Sequence, residues 1–127
     1  MIVERLLKVL VLLPALLFTS MGVRWLVSPA GVAPQLGLQL DQGLGLSTQI
    51  GDLSAFFLTL GICMLAGLVS QRRAWIYPAI LLLGLAAFGR IVAWLVHDAA
   101  LATAQIVPEI VVASILLLAT RFLPERN

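Results

Sequence analysis

Charged residues are scarce in this chain. Asp, Glu, Lys and Arg make up only 11% of its 127 residues, and 61% of the residues are hydrophobic. A soluble domain usually carries about a quarter charged residues, and apolar residues in such excess are accommodated when they face lipid. The composition therefore excludes a soluble enzyme and a disordered chain. It predicts one small membrane domain over residues 1–127.

Cysteine and histidine occur once each, as Cys63 and His97. A single cysteine excludes a disulfide within the chain and a paired-cysteine metal site, and a single histidine excludes a bis-histidine haem site. A glycine-rich phosphate loop and a Gly-x-Ser-x-Gly nucleophile elbow are also missing. We therefore predict no cofactor, no metal and no catalytic residue. Cys63 is predicted to be a small core residue, and His97 a solvated turn residue.

Four apolar stretches approach the ~20 residues that cross a bilayer. They cover residues 6–27, 52–70, 74–96 and 99–123. Each must be helical, because a membrane span has to satisfy its own backbone hydrogen bonds. The predicted fold class is therefore all-α, an integral membrane four-helix bundle. The first stretch starts like a signal peptide, but its length to Val27 and its poor cleavage site favour a retained helix.

The net charge of +2 does not indicate a nucleic-acid partner, because the basic residues lie at the ends of the apolar segments and form no patch. Most of the basic residues flank the predicted inner ends of the spans. They are Arg5, Lys8, Arg72, Arg73, Arg121 and Arg126. The segment 28–51 and the turn near His97 contain no Lys or Arg. The positive-inside rule then predicts a multi-pass plasma-membrane protein with both termini in the cytoplasm and the lipid bilayer as its main partner.

The first outer loop contains signals for a short helix. Ser28-Pro29 is typical of a helix start and Gly37 of a helix stop, so a helix over 29–36 is predicted at the outer surface. Val32 and Leu36 of this helix are predicted to enter lipid.

Three further expectations concern the outer side of the bundle. Residues 38–51 are rich in Gly and Gln and are predicted to be irregular, so that Asp52 opens the second span. Trp25 and Trp94 are predicted to anchor the outer interface.

Six ionisable residues are predicted to fall in the outer half of the bundle, and all four spans contribute to the set. They are Arg24, Asp52, Arg90, His97, Asp98 and Glu109. An unpaired Arg inside a bilayer is costly, and a short turn near His97 makes the third and fourth spans antiparallel. Arg90 is therefore predicted to pair with Glu109, and Arg24 with Asp52 nearer to water.

Small residues share a helical face with several of these charges by the three-and-four spacing. On the second span this face consists of Asp52, Ala55, Phe56, Thr59, Cys63, Ala66 and Ser70. On the third span Arg90 is accompanied by Ala86, Ala87, Ala93 and His97, and on the fourth Glu109 is accompanied by Ala102, Gln105, Ala113 and Thr120. Small residues let membrane helices approach closely, so the charges are predicted to point into the bundle.

Two interpretations of the six-residue set stay open. Its ion pairs could brace the four helices in register without any ligand. Alternatively, the charges could frame a small polar pocket that opens to the outside between the second, third and fourth spans.

The outline resembles a family of small four-helix bacterial inner-membrane proteins that is distantly DoxX-like. The resemblance rests on the run Ser28-Pro29 to Leu36-Gly37-Leu38, on Gly61, on Gly89-Arg90 and on the span around Glu109. The sequence departs from the family pattern at Asp52, where a basic residue is usual before the glycine of the second span. The resemblance implies a bacterial inner-membrane location and a four-helix fold, and it brings no assigned activity.

Our functional hypothesis is a non-enzymatic accessory or scaffold subunit that packs against other membrane proteins or against itself. The alternative is a small carrier, or a lipid- or quinone-binding protein, that uses the outer charges. A membrane enzyme with Glu109 as acid or base would need a nucleophile or a metal, and the sequence supplies neither.

Overall fold

The computed structural model describes residues 1–126, which form helices joined by short connections. The helices are α1 (Ile2–Val27), α2 (Pro29–Val32), α3 (Gly43–Ser70), α4 (Ile76–Val96) and α5 (Thr103–Phe122). Two 3₁₀ turns, Ala33–Leu36 and Arg73–Trp75, follow α2 and precede α4. Residues 1–126 contain no strand, so the predicted all-α class is confirmed.

Four of these helices are long and apolar enough to cross a membrane. They are α1, α3, α5, and α4 together with the 3₁₀ turn before it, with 26, 28, 20 and 24 residues. At 1.5 Å per residue, 20 residues already extend about 30 Å. Their outward faces carry exposed apolar side chains such as Leu81, Leu85 and Phe88 of α4. These features indicate a multi-pass membrane protein whose apolar surface faces lipid.

The long helices form a ring in which α1 contacts α3 and α5, and α4 contacts the same two helices. The connections 71–75 and 97–102 are short, so α4 runs antiparallel to both of its neighbours. The start of α1 and the end of α5 lie beside the α3–α4 connection, at what we call the termini end. The opposite end holds α2 and the α4–α5 connection, and we call it the loop end.

The main core lies between the four long helices, and each of them contributes to it. Its most deeply buried large side chains are Val11 from α1, Leu60 and Met64 from α3, Leu83 from α4 and Leu116 from α5. Lipid tails are as apolar as these side chains, so close packing rather than removal from water holds such a core together.

Two glycines bring α1 and α3 into very close contact. A Cβ at Gly61 would overlap the Thr19 hydroxyl, and it would lie 2.7 Å from the Thr19 nitrogen and 2.9 Å from the Ala15 carbonyl oxygen. A Cβ at Gly22 would lie 2.6 Å from Cγ of Leu58. Small residues permit such backbone approach in membranes. The two glycines therefore fix how α3 is rotated against α1.

A second buried cluster lies at the loop end, where α2 packs back against α1 and α3. It consists of Trp25, Val32, Ala33 and Phe57. Gly37 ends the 3₁₀ turn with a left-handed φ of 72°, which agrees with the predicted stop. The predicted lipid contacts of Val32 and Leu36 were wrong, because Val32 is fully buried in protein and Leu36 packs on the same cluster. Trp25 is also fully buried, so it is not an interface anchor.

α3 starts much earlier than the sequence indicates. It begins at Gly43, nine residues before the predicted start at Asp52, so the prediction of irregular chain over 38–51 was wrong beyond Gln42. Asp52 consequently lies in the third turn of α3.

Tertiary contacts explain why this glycine-rich segment is helical. Nε2 of Gln49 donates to the Gln39 carbonyl oxygen at 3.0 Å, and its Oε1 accepts the Asp41 backbone N–H at 2.9 Å. Ile50 packs against the second cluster. The sequence by itself shows only the low helix propensity of the glycines. The tertiary contacts outweigh this low propensity.

The α4–α5 connection is also longer than predicted, because α5 begins at Thr103 rather than near Ala99. Asp98 has a left-handed φ of 58°, and the Ala99 backbone N–H donates to the Ala93 carbonyl oxygen at 3.1 Å. A residue in the left-handed conformation just after the last helical turn is a common way to end a helix. Asp98 therefore terminates α4.

Candidate functional site

Arg90 and Glu109 form an ion pair between α4 and α5 near the loop end, the pairing that the sequence predicts. Nε of Arg90 donates to both oxygens of Glu109, at 3.1 and 3.4 Å. The Glu109 side chain is 11% exposed, and that of Arg90 is 32% exposed. Glu109 is the only buried charged residue within residues 1–126. The pair therefore ties two helices together through a carboxylate held away from solvent.

The geometry of this pair leaves part of the guanidinium unused. A fork-shaped Arg–carboxylate pair uses two nitrogens, whereas here Nε alone makes both hydrogen bonds. The two terminal amino groups of Arg90 donate to no acceptor within residues 1–126. Arg90 thus presents free donors on the partly exposed side of α4.

The predicted pair between Arg24 and Asp52 does not form. The Nη2 of Arg24 instead donates to the Gly31 carbonyl oxygen at 3.0 Å, which ties the end of α1 to α2. Asp52 is exposed on the outer surface of α3. The close contact of Gly61 with α1 sets the rotation of α3, and Asp52 lies on the exposed side of the helix.

The face of α3 that points into the bundle also differs from the predicted one. Asp52, Ala55 and Thr59 are exposed, and only Cys63 of the predicted stripe is buried. The residues that actually turn inward are Ser54, Phe57, Leu60, Gly61, Cys63, Met64 and Gly67. The buried position of Cys63 agrees with the prediction of a core residue.

The six predicted residues do not converge on one point. His97 is exposed at the end of α4, as expected for a turn residue, and Asp98 is exposed beside it. Only Arg90 and Glu109 of the set contact each other through an ion pair within residues 1–126. Over the same part of the chain, no three His, Cys, Asp or Glu side chains lie close enough together to hold a metal ion.

Two of the clefts in the described part of the chain lie toward the termini end. One has a volume of about 30 Å³ and lies between α1, the α3–α4 connection and the end of α5. The other is an open groove along the outer side of α5, lined by residues 114–122. Neither is lined by Arg90 or Glu109. These two clefts are therefore not the predicted polar pocket.

A second long-range contact closes the termini end, and sequence reasoning missed it. The Arg73 backbone N–H donates to Glu125 Oε2 at 3.1 Å, and Nη1 of Arg73 lies 3.6 Å from Oε1 of the same carboxylate. The Arg126 backbone N–H donates to the Gln71 carbonyl oxygen at 2.8 Å. The available signal was an acidic residue just after the last span, opposite the basic α3–α4 connection. These contacts attach the chain after α5 to that connection.

No known protein family, curated protein or solved structure matches the chain. The contacts and surfaces described above therefore carry the functional argument.

Proposed function

We propose that this chain is a non-enzymatic accessory or scaffold subunit of the bacterial inner membrane, which packs against a helix of another membrane protein. The observation that carries the proposal is the surface of α4 beside Arg90. Ala86, Gly89 and Ala93 lie on one face by their spacing of three and four. Gly89 is exposed, and the two alanines are half-buried. We call these three residues the small-residue face.

The small-residue face has the properties of an unoccupied membrane helix contact. A Cβ at Gly89 would meet no atom within 4 Å, so the space outside it is open. Small residues at such positions let a second helix approach closely, and polar groups then bond across the contact. The free amino groups of Arg90 lie beside this face. They favour a partner helix with a side-chain oxygen acceptor, such as Asp, Glu, Asn or Gln, at the matching depth.

Replacing Gly89 with Leu is expected to remove this partner without disturbing the fold. The measurement is the size of the tagged chain's complex after mild detergent extraction and cross-linking in the native membrane. Gly84→Leu is the matched control, because Gly84 is also an exposed glycine of α4 with open space at its Cβ, but on another side of the helix. Wild type and the Gly84 variant should give the larger complex, and the Gly89 variant should give the free chain. Equal complexes in both variants, or a free wild-type chain, would contradict the proposal.

We further propose that both termini face the cytoplasm, which the Lys and Arg distribution supports. An alkaline phosphatase fused after Gly37, at the loop end, should be active outside the cytoplasm. A green fluorescent protein fused after Asn127 should fluoresce inside. If only one of the two reporters is active, both fusion sites lie on the same side and the four-span topology is wrong. If neither is active, the orientation is reversed. The resemblance to small DoxX-like bacterial proteins supports the same membrane.

A further inference from the structure

We propose that the cleft at the termini end binds the phosphate of an anionic phospholipid head group. This site lies at the opposite end of the bundle from the small-residue face and does not depend on it. The cleft is lined by Lys8 from α1, by Gln71, Arg72 and Arg73 from the α3–α4 connection, and by Thr120 from α5. We call it the basic cleft. Three cations from two separate chain segments meet at its rim.

The charge balance around the basic cleft favours an anion. The termini end carries six basic side chains against two acidic ones, Glu4 and Glu125. Within residues 1–126, Lys8 and Arg72 have no carboxylate within ion-pair distance. Only Arg73 has a partner there, and that partner is the half-exposed Glu125. The cleft therefore holds an excess of positive charge where lipid phosphates lie in a bilayer.

Arg73 has a donor that the protein leaves unsatisfied. Its Nε is buried and has no hydrogen-bond partner within residues 1–126. Its contact with Glu125 through Nη1, at 3.6 Å, is an ion pair too long for a hydrogen bond. A buried donor is stabilised when it finds an acceptor. Arg73 also lines the cleft, so a phosphate bound there would supply a compensating negative charge to the same guanidinium.

The apolar lining of the same cleft favours a lipid over a free phosphate ion. Below the basic rim, the walls include Val11, Leu68, Ile76 and Leu123. A volume of about 30 Å³ accommodates about two water-sized groups, which fits head-group oxygens but not a whole lipid. The glycerol and acyl chains would lie along the outer helix surfaces. An apolar wall beneath a cationic rim thus matches the order of groups in a phospholipid.

The test compares two variants with the same loss of charge at the same membrane end. In Lys8→Gln/Arg72→Gln, both changes line the basic cleft, whereas in Arg5→Gln/Arg121→Gln neither does. All four side chains are exposed, so both variants should fold, and their thermal midpoints should match that of wild type. Native mass spectrometry of the full chain, with phosphatidylglycerol and phosphatidylcholine in equal amounts, measures the preference for the anionic lipid. We expect this preference to fall about tenfold in the first variant and little in the second.

Three outcomes would overturn the assignment. An equal fall in both variants would indicate a diffuse basic surface instead of a site. If the wild-type chain shows no preference for phosphatidylglycerol, an anionic phospholipid is not the ligand of the cleft. Binding of inorganic phosphate to the chain in phosphatidylcholine nanodiscs, lost in the first variant and unaffected by added phosphatidylglycerol, would assign the cleft to a free phosphate.

Discussion

Replacing Arg90 with Ala should lower the free energy of unfolding by about 2–3 kcal/mol, because it leaves the Glu109 carboxylate buried without its counter-charge. Both hydrogen bonds that Arg90 makes to Glu109 would be lost. We expect a smaller loss of stability than for breaking a fully buried ion pair, because the Arg90 side chain is 32% exposed. The measurement is a titration with denaturing detergent in mixed micelles, in which the folded fraction reports the free energy.

A double-mutant cycle separates the ion pair from the packing of its side chains. The Arg90→Met/Glu109→Met double variant should lose less stability than the single Arg90→Met and Glu109→Met losses added together, because it leaves no buried charge unpaired. The other long-range ion pair, Arg73–Glu125, supplies a control. Glu125→Gln removes a partner of Arg73 in a half-exposed pair, and it should cost no more than about 1 kcal/mol. An Arg90 variant as stable as wild type would contradict a bracing role. A double variant that loses as much stability as the two single variants added together would contradict it as well.

The sequence was sufficient to predict this pair because only local geometry was required. Arg90 lies seven residues before His97, and Glu109 lies seven residues after Ala102. Two antiparallel helices joined by the connection between those points place both side chains about 10 Å from the turn. Hydropathy likewise identified the four long helices, because each must be apolar along its whole length.

The errors have a different origin, because they depend on contacts between distant segments. Glycine-rich sequence concealed the start of α3, which Gln49 and the second buried cluster stabilise through contacts outside the helix. The face of α3 that turns inward is set by its contact with α1 at Gly61, and not by the spacing of its own small residues. This rotation leaves Asp52 on the exposed side of α3, away from Arg24. The contact between Arg73 and Glu125 joins residues 52 positions apart, and only the packed bundle brings them together.

Gly61→Ala should destabilise the protein by about 1–3 kcal/mol, although Ala is the better helix former, because the added methyl group overpacks the α1–α3 contact. A Cβ there would overlap the Thr19 hydroxyl and press on the backbone of Thr19 and Ala15. Backbone atoms cannot rotate away as a flexible side chain can, so the two helices must separate. Closely approaching helices supply the packing that holds a membrane bundle together. The loss should therefore extend to the whole fold, seen as a lower thermal midpoint of the purified chain in detergent.

Gly84→Ala isolates the steric part of this effect. Both changes replace a glycine within a long helix, so both gain the same helix propensity, up to about 1 kcal/mol. A Cβ at Gly84 meets no atom within 4 Å, and this variant should be as stable as wild type or slightly more stable. The difference between the two variants then measures the close approach of α1 and α3 alone. Equal midpoints for the two variants would mean that α1 and α3 can separate at no cost, and that Gly61 does not set the rotation of α3.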